Sequence, residues 1–150
     1  MVNLGTPDSP ETADVRKYLK EFLNDARVID IPALQRKLLV NFFIAPTRAP
    51  KSAAQYKAVW TKEGSPLLIY GERLKTKLQK HLGDRYIVEL SMRYQQPSLQ
   101  KALDKLVDEK AVQKLIVVPL YHHYASSSTG STVEKIMELL KPKEVVPHIT

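Results

Sequence analysis

Leu115-Ile116-Val117-Val118-Pro119 decides the fold of this 150-residue chain. Four apolar, β-prone residues stopped by a proline read as a strand covered on both faces, the pattern of a parallel sheet. Working outward, Ser98–Glu109 places Leu99, Ala102, Leu103 and Leu106 on one face of a helix, and Ser131–Leu140 does the same with Val133, Ile136, Met137 and Leu140. Tyr86–Met92 reads as a strand before the first helix, and Val145-Val146 starts a strand after the second. Crossovers of this length join parallel strands by right-handed connections. The expected fold class is therefore α/β, a doubly wound parallel sheet.

Toward the N-terminus the same alternation continues. Val2-Asn3-Leu4 reads as the end of a strand. Ser9-Pro10-Glu11 is a helix start, followed by Val15, Tyr18, Leu19 and Phe22 on one stripe. Pro32 opens a second helix through Phe43. Ala45-Pro46-Thr47 reads as a turn, with a third helix from about Pro50 to Trp60. Ser65-Pro66 starts a helix carrying Leu74, Leu78 and Leu82, and Gly83 stops it. A sheet ending in bare strands leaves faces uncovered. The expectation is a lobe truncated at both ends, residues 1–150 being one domain of something longer.

Composition sets limits. With 43% hydrophobic and 26% charged residues the chain is neither disordered nor low-complexity. It has no cysteine, which excludes disulfides, thiolate metal sites and a cysteine nucleophile. No apolar run reaches the roughly 18 residues of a membrane span, and no leader sequence opens the chain, so a cytoplasmic location is expected. Lys and Arg number 23 against 16 Asp and Glu, a net charge of +7. Most of the excess lies between Gln35 and Lys62, where Arg36, Lys37, Arg48, Lys51, Lys57 and Lys62 meet no acid. Such a belt suits an anionic partner or a solvated face. Nucleic acid is not expected, because no helix combines closely spaced cations with aromatic platforms. Inside the belt, Leu38-Leu39-Val40-Asn41-Phe42-Phe43-Ile44-Ala45 is either a buried helix or an exposed apolar lip. A lip could grip a flat, carboxylate-bearing ligand or make a peripheral membrane contact.

Ligands of open α/β sheets bind beyond the carboxyl ends of the strands. Leu4–Pro7, Arg93–Pro97 and Tyr121–Gly130 should converge there. The last carries His122 and His123 between Tyr121 and Tyr124. On an extended chain these adjacent rings point opposite ways, so at most one faces the crevice. Ser126–Thr132 is either a serine-rich helix cap or an anion-binding loop. It resembles the phosphate loop of flavodoxins, which follows the first strand rather than the third. No zinc-type ligand set is present.

Taken together, Val2–Pro7, Val15–Leu19, Val28–Pro32, Pro46–Tyr56, Gly64-Ser65-Pro66, Met92-Arg93-Tyr94 and Pro119–Ser131 make the whole chain resemble the bacterial ferrochelatases. That resemblance implies a flavodoxin-like, chelatase-type lobe, the N-terminal one of two, in an enzyme that inserts Fe²⁺ into protoporphyrin to form protohaem. Fe²⁺ is then a substrate, with no tightly bound cofactor. By resemblance Leu4 lies at the inner face of the macrocycle, and Arg48, after Thr47, approaches the propionates. Many relatives have a second Arg at the Thr47 position. Ser65 lies beside the cleft, and Arg93 and Tyr94 lie under its floor. His123 and Tyr124 sit on the loop facing the pocket, where His123 is the catalytic and metal-side residue. His122 replaces a usual proline. The principal histidine and its carboxylate partner belong to the second lobe, so these 150 residues alone are expected to be inactive or nearly so. Two other readings are a single-lobe homodimeric cobalt or nickel chelatase and a flavin- or phosphate-binding module.

Overall fold

The computed structural model describes all 150 residues, Met1–Thr150. Its strands are β1 (Val2–Gly5), β2 (Ser91–Tyr94), β3 (Lys114–Leu115) and β4 (His148–Ile149). β1 pairs with β2 in parallel, Val2 opposite Ser91 and Gly5 opposite Tyr94, and β3 pairs with β4 in parallel. The chain leaving β3 closes the gap between the pairs. The Val2 amide donates to the Val118 carbonyl at 2.9 Å, and the Leu120 amide donates to the Val2 carbonyl at 2.8 Å. The spatial order is thus β2-β1-β3-β4. Sequence neighbours are separated by a crossover, as in a doubly wound sheet with its switch point beside β1.

The strands are shorter than their apolar runs. Residues 86–90 are extended but precede the ladder, and Ile116 and Val118 are about half exposed. The helices are α1 (Thr12–Leu23), α2 (Ala33–Leu38), α3 (Ala45–Val59), α4 (Pro66–Leu82), α5 (Leu99–Leu103) and α6 (Ser131–Leu140). Side chains alternate across a strand, so the pairing register decides which helix each meets. Val2 and Leu115 face α5 and α6, joining Leu99, Leu103, Leu106, Ile136 and Leu140 in one core. Leu90, Met92 and Tyr94 face the other way. Gly71 of α4 lies so close to Leu90 that an added Cβ would meet Leu90 Cδ2 at 2.8 Å. The Tyr94 ring meets Phe22 of α1 edge-on at 5.3 Å. Helices therefore cover both faces at β2, whereas the run at 115–118, expected to be covered on both faces, is packed at Leu115 and leaves Ile116 and Val118 about half exposed.

One local expectation changes. Residues 33–59 form an unbroken helical run, with a π-helical stretch at Leu39–Ile44, and there is no turn at Ala45–Thr47. Pro46 follows directly on the π-helical stretch, at the change of helical register. The Thr47 hydroxyl donates to the Phe43 carbonyl at 2.6 Å, capping a carbonyl in the register change. Pro50 lies in the helix interior, and the helix runs on through it.

Candidate functional site

The site is built at the carboxyl end of the sheet. After β1 the chain turns at Gly5 (φ 120°), and Thr6 points its hydroxyl at Ser65. The Thr6 hydroxyl donates to Ser65 Oγ at 2.8 Å, with both residues buried. Ser65 occupies the cap position of α4, with Pro66 behind it. Its hydroxyl serves Thr6 and makes no capping bond. Leu4, half-buried, lies two residues before this contact.

Beside it, β2 delivers Arg93 and Tyr94 to a carboxylate that reading the sequence passed over. Asp25, just past the end of α1, sits with its side chain 7% exposed. Its Oδ2 accepts from Arg93 Nη2 at 2.6 Å, from the Tyr94 hydroxyl at 2.8 Å and from the Ser131 hydroxyl. Its Oδ1 accepts from the Arg27 backbone N–H at 2.8 Å. Arg93 Nε also donates to Ser131 Oγ at 2.7 Å, and its guanidinium lies 4.5 Å from the Tyr94 ring centre. Burial pushes the Asp25 carboxyl up. The Ser131 hydroxyl, the Arg27 amide, the Tyr94 hydroxyl and the Arg93 charge outweigh it and hold the carboxyl below its usual range. Burial also raises the Tyr94 phenol well above its ordinary value. Arg93 and Tyr94 are therefore committed to Asp25 and Ser131 beneath the surface. Their neighbour Gln95, at φ 65°, is tied to Glu21 of α1.

The Tyr121–Gly130 loop lies above this network. The Tyr121 hydroxyl shares a hydrogen bond with Thr132 at 2.9 Å, while His122, His123 and Tyr124 are exposed. The two imidazoles lie 6.5 Å apart and are tilted. The segment Ser126–Gly130 forms a π-helical turn leading into α6. No three His, Asp or Glu side chains converge on a common point.

The apolar run splits between the two readings offered for it. Val40 and Ala45 are buried, but Leu38, Leu39, Phe42 and Phe43 face solvent, the phenylalanines 70% and 65% exposed. It is therefore a lip. Asn41, on the same turn, accepts from Asn24 at 3.1 Å, which anchors the lip one residue from Asp25. Of the belt's cations, Arg36 is turned inward onto the carbonyls of Asn24, Ile29 and Ile31, whereas Arg48 stays exposed on α3. Between α1 and α3 an open apolar groove of about 390 Å³ is lined by Tyr18, Phe22 and Tyr56 among others.

The fold thus brings Leu4, Ser65, Arg93 and Tyr94 to one end of the sheet. It hangs His123 and Tyr124 over that end on a loop, and it places Arg48 on the lip helix. Asp25 and Ser131 complete the arrangement. Asp25 gave no sequence signal of a site, and Ser131 gave only that of starting a helix.

A doubly wound lobe with polar residues gathered at the strand ends is the arrangement in which open α/β sheets bind their ligands. Comparison with known proteins makes this specific. The ferrochelatase family model matches residues 1–150. A ferrochelatase of Legionella pneumophila (strain Paris) is 46% identical over 149 residues, covering 99% of this chain and 44% of the relative. One from Coxiella burnetii (strain Dugway 5J108-111) is 46% identical over 136 residues, covering 91% and 38%. One from Alcanivorax borkumensis is 42% identical over 153 residues, covering 99% and 45%. The chain belongs to the ferrochelatase family, and it spans less than half the length of the curated relatives it matches.

Proposed function

We propose that this chain is the porphyrin-gripping lobe of an enzyme that inserts Fe²⁺ into protoporphyrin, the rest of the site coming from a second lobe. The observation that carries the reading is the exposed lip, Leu38, Leu39, Phe42 and Phe43, on the same helical run as exposed Arg48. Protoporphyrin is flat and apolar with two carboxylates at one edge. It calls for an apolar wall and a cation at the rim. Leu4 packs on the inner face of the ring, Ser65 and Tyr124 border the cleft, and Arg93 with Tyr94 supports its floor.

Metal insertion replaces two pyrrole N–H protons with one Fe²⁺, so the reaction releases two protons and needs a base near the ring. His123, on the exposed loop, is the base and metal-side residue of this lobe. The remaining donors come from the second lobe. Iron enters and leaves as a substrate. Contacts away from the ring centre, such as the lip and Arg48, supply binding energy that can bend the macrocycle toward its metallated shape.

A second use of the lip is favoured by the same exposure. An apolar edge flanked by cations suits the surface of an anionic membrane, and no helix of this chain is long and apolar enough to cross one. The enzyme is placed in the cytoplasm on this reading, touching the membrane only at its face.

The test is Fe²⁺ insertion into protoporphyrin, followed by absorbance. Arg48→Ala in the complete enzyme raises KM for protoporphyrin and lowers kcat with it, because the energy lost is energy that bends the ring, while residues 1–150 alone give little or no turnover. Turnover by the isolated 150 residues would overturn the division of labour.

A further inference from the structure

Asp25 and Arg27 sit in the turn after α1, and both reach the far end of the chain. Asp25 Oδ2 binds the hydroxyl of Ser131, the first residue of α6, 106 positions away. Arg27 Nη1 donates to Ser126 Oγ at 3.2 Å, and its Nε pairs with Glu134. Ser126 opens the π-helical turn that closes the histidine loop, and Ser131 follows its last residue, Gly130. Between them, Gly130 lies directly under Arg27. A Cβ there would come within 3.0 Å of Arg27 Nη1 and 3.4 Å of the Tyr124 hydroxyl.

We infer that the Asp25–Arg27 turn is a clasp and that Asp25 is a positioning residue, fixing where the Tyr121–Gly130 loop holds His123. The functional consequence rests on the porphyrin reading above. The clasp itself does not, because every contact in it lies within this chain. The clasp holds the C-terminal side of the loop and the Leu120 amide, bonded to the Val2 carbonyl at 2.8 Å, holds the other, which leaves the exposed imidazoles between them few arrangements. The alternative is a loop of small polar residues that would otherwise be free to move. Arg93 is the second member of the clasp. Its guanidinium joins the same carboxylate to β2, so the loop is registered against the sheet as well as against α1.

The chain has four histidines, which gives a direct readout. Ring resonances of His122 and His123 report the loop, while those of exposed His81 on α4 and His148 on β4 report parts the clasp does not touch. In Asp25→Asn, and separately in Arg27→Ala, we expect the His122 and His123 signals to shift and broaden while His81 and His148 stay in place. Amide exchange across residues 121–130 should accelerate about tenfold or more with that of α5 unchanged. If Asp25→Asn fails to fold, Ser131→Ala removes a single strut and is read the same way. Folded variants whose loop signals do not move, or in which exchange rises equally in α5, would overturn the inference. Protoporphyrin titration of the unaltered chain is run alongside. Absence of binding there, with a loosened loop in the variants, would sink the porphyrin reading and leave the clasp standing.

Discussion

Gly5→Ala is the sharpest test of how the site is assembled, because Gly5 joins Leu4 to Thr6 and lies opposite Tyr94. Two costs add. The backbone there has φ 120°, which a residue with a Cβ adopts at about 1–3 kcal/mol. The Cβ would also overlap the Tyr94 carbonyl oxygen, with the carbonyl carbon at 3.0 Å and the amide nitrogen at 3.2 Å. Those are backbone atoms in the ladder and cannot rotate aside. Moving them costs about another 1–3 kcal/mol, the range for overpacking. The sum is about 4 kcal/mol, or a fall of roughly 8–16 °C in Tm for a chain of this size. Gly83→Ala is the internal control. It also has positive φ, but nothing lies within 4 Å of its added Cβ, so it carries only the first cost. Thermal unfolding followed by circular dichroism gives both values. A Gly5→Ala variant no less stable than Gly83→Ala would refute the close approach of β1 to β2 at the site.

Acid stability should carry the signature of Asp25. Its carboxyl is held below the usual range in the folded chain, so its stabilisation is present above about pH 4 and is lost as pH falls through the lowered value. Glu89, held down against its own burial by Lys105 and Lys75, acts in the same direction. The Tm difference between the unaltered chain and Asp25→Asn should therefore be widest near neutrality and close toward pH 2; a gap independent of pH would contradict the assignment. On the lip, Phe42→Ala and Phe43→Ala should change stability by less than about 0.5 kcal/mol, the usual range for surface positions. Val40→Ala, at a fully buried site within the same helical turn, should cost about 1.5–3 kcal/mol in urea unfolding. Equal effects at the three positions would mean that the lip is core.

Much of the fold was legible because periodicity and punctuation agreed. The striped helices at 98–109 and 131–140 and Gly83 ending α4 follow from local rules, and the run at 115–118 joins the sheet as read, though only one of its faces is covered. The failures are also physical. Pro46 reads as a breaker, yet the helical run passes through it where the π-helical register returns to α. The run at 38–45 is apolar whether it faces core or solvent, and only the fold decides that. Ser65 looked like a helix cap because of its position before Pro66; its hydroxyl turned out to serve Thr6, 59 residues away. Asp25 was invisible for the same reason on a larger scale. Its partners stand 68, 69 and 106 residues along the chain, and no local pattern marks a residue whose importance is set by tertiary distance.

Whether this lobe grips a tetrapyrrole can be read from its single tryptophan. Trp60 ends α3 and meets Tyr56, whose ring lines the groove between α1 and α3. Titrating the 150-residue chain with protoporphyrin, and in parallel with flavin mononucleotide, should give saturable quenching of Trp60 by the porphyrin alone, weakened by Arg48→Ala. Saturation by the flavin with none by the porphyrin would contradict the proposal and point to the phosphate-binding alternative.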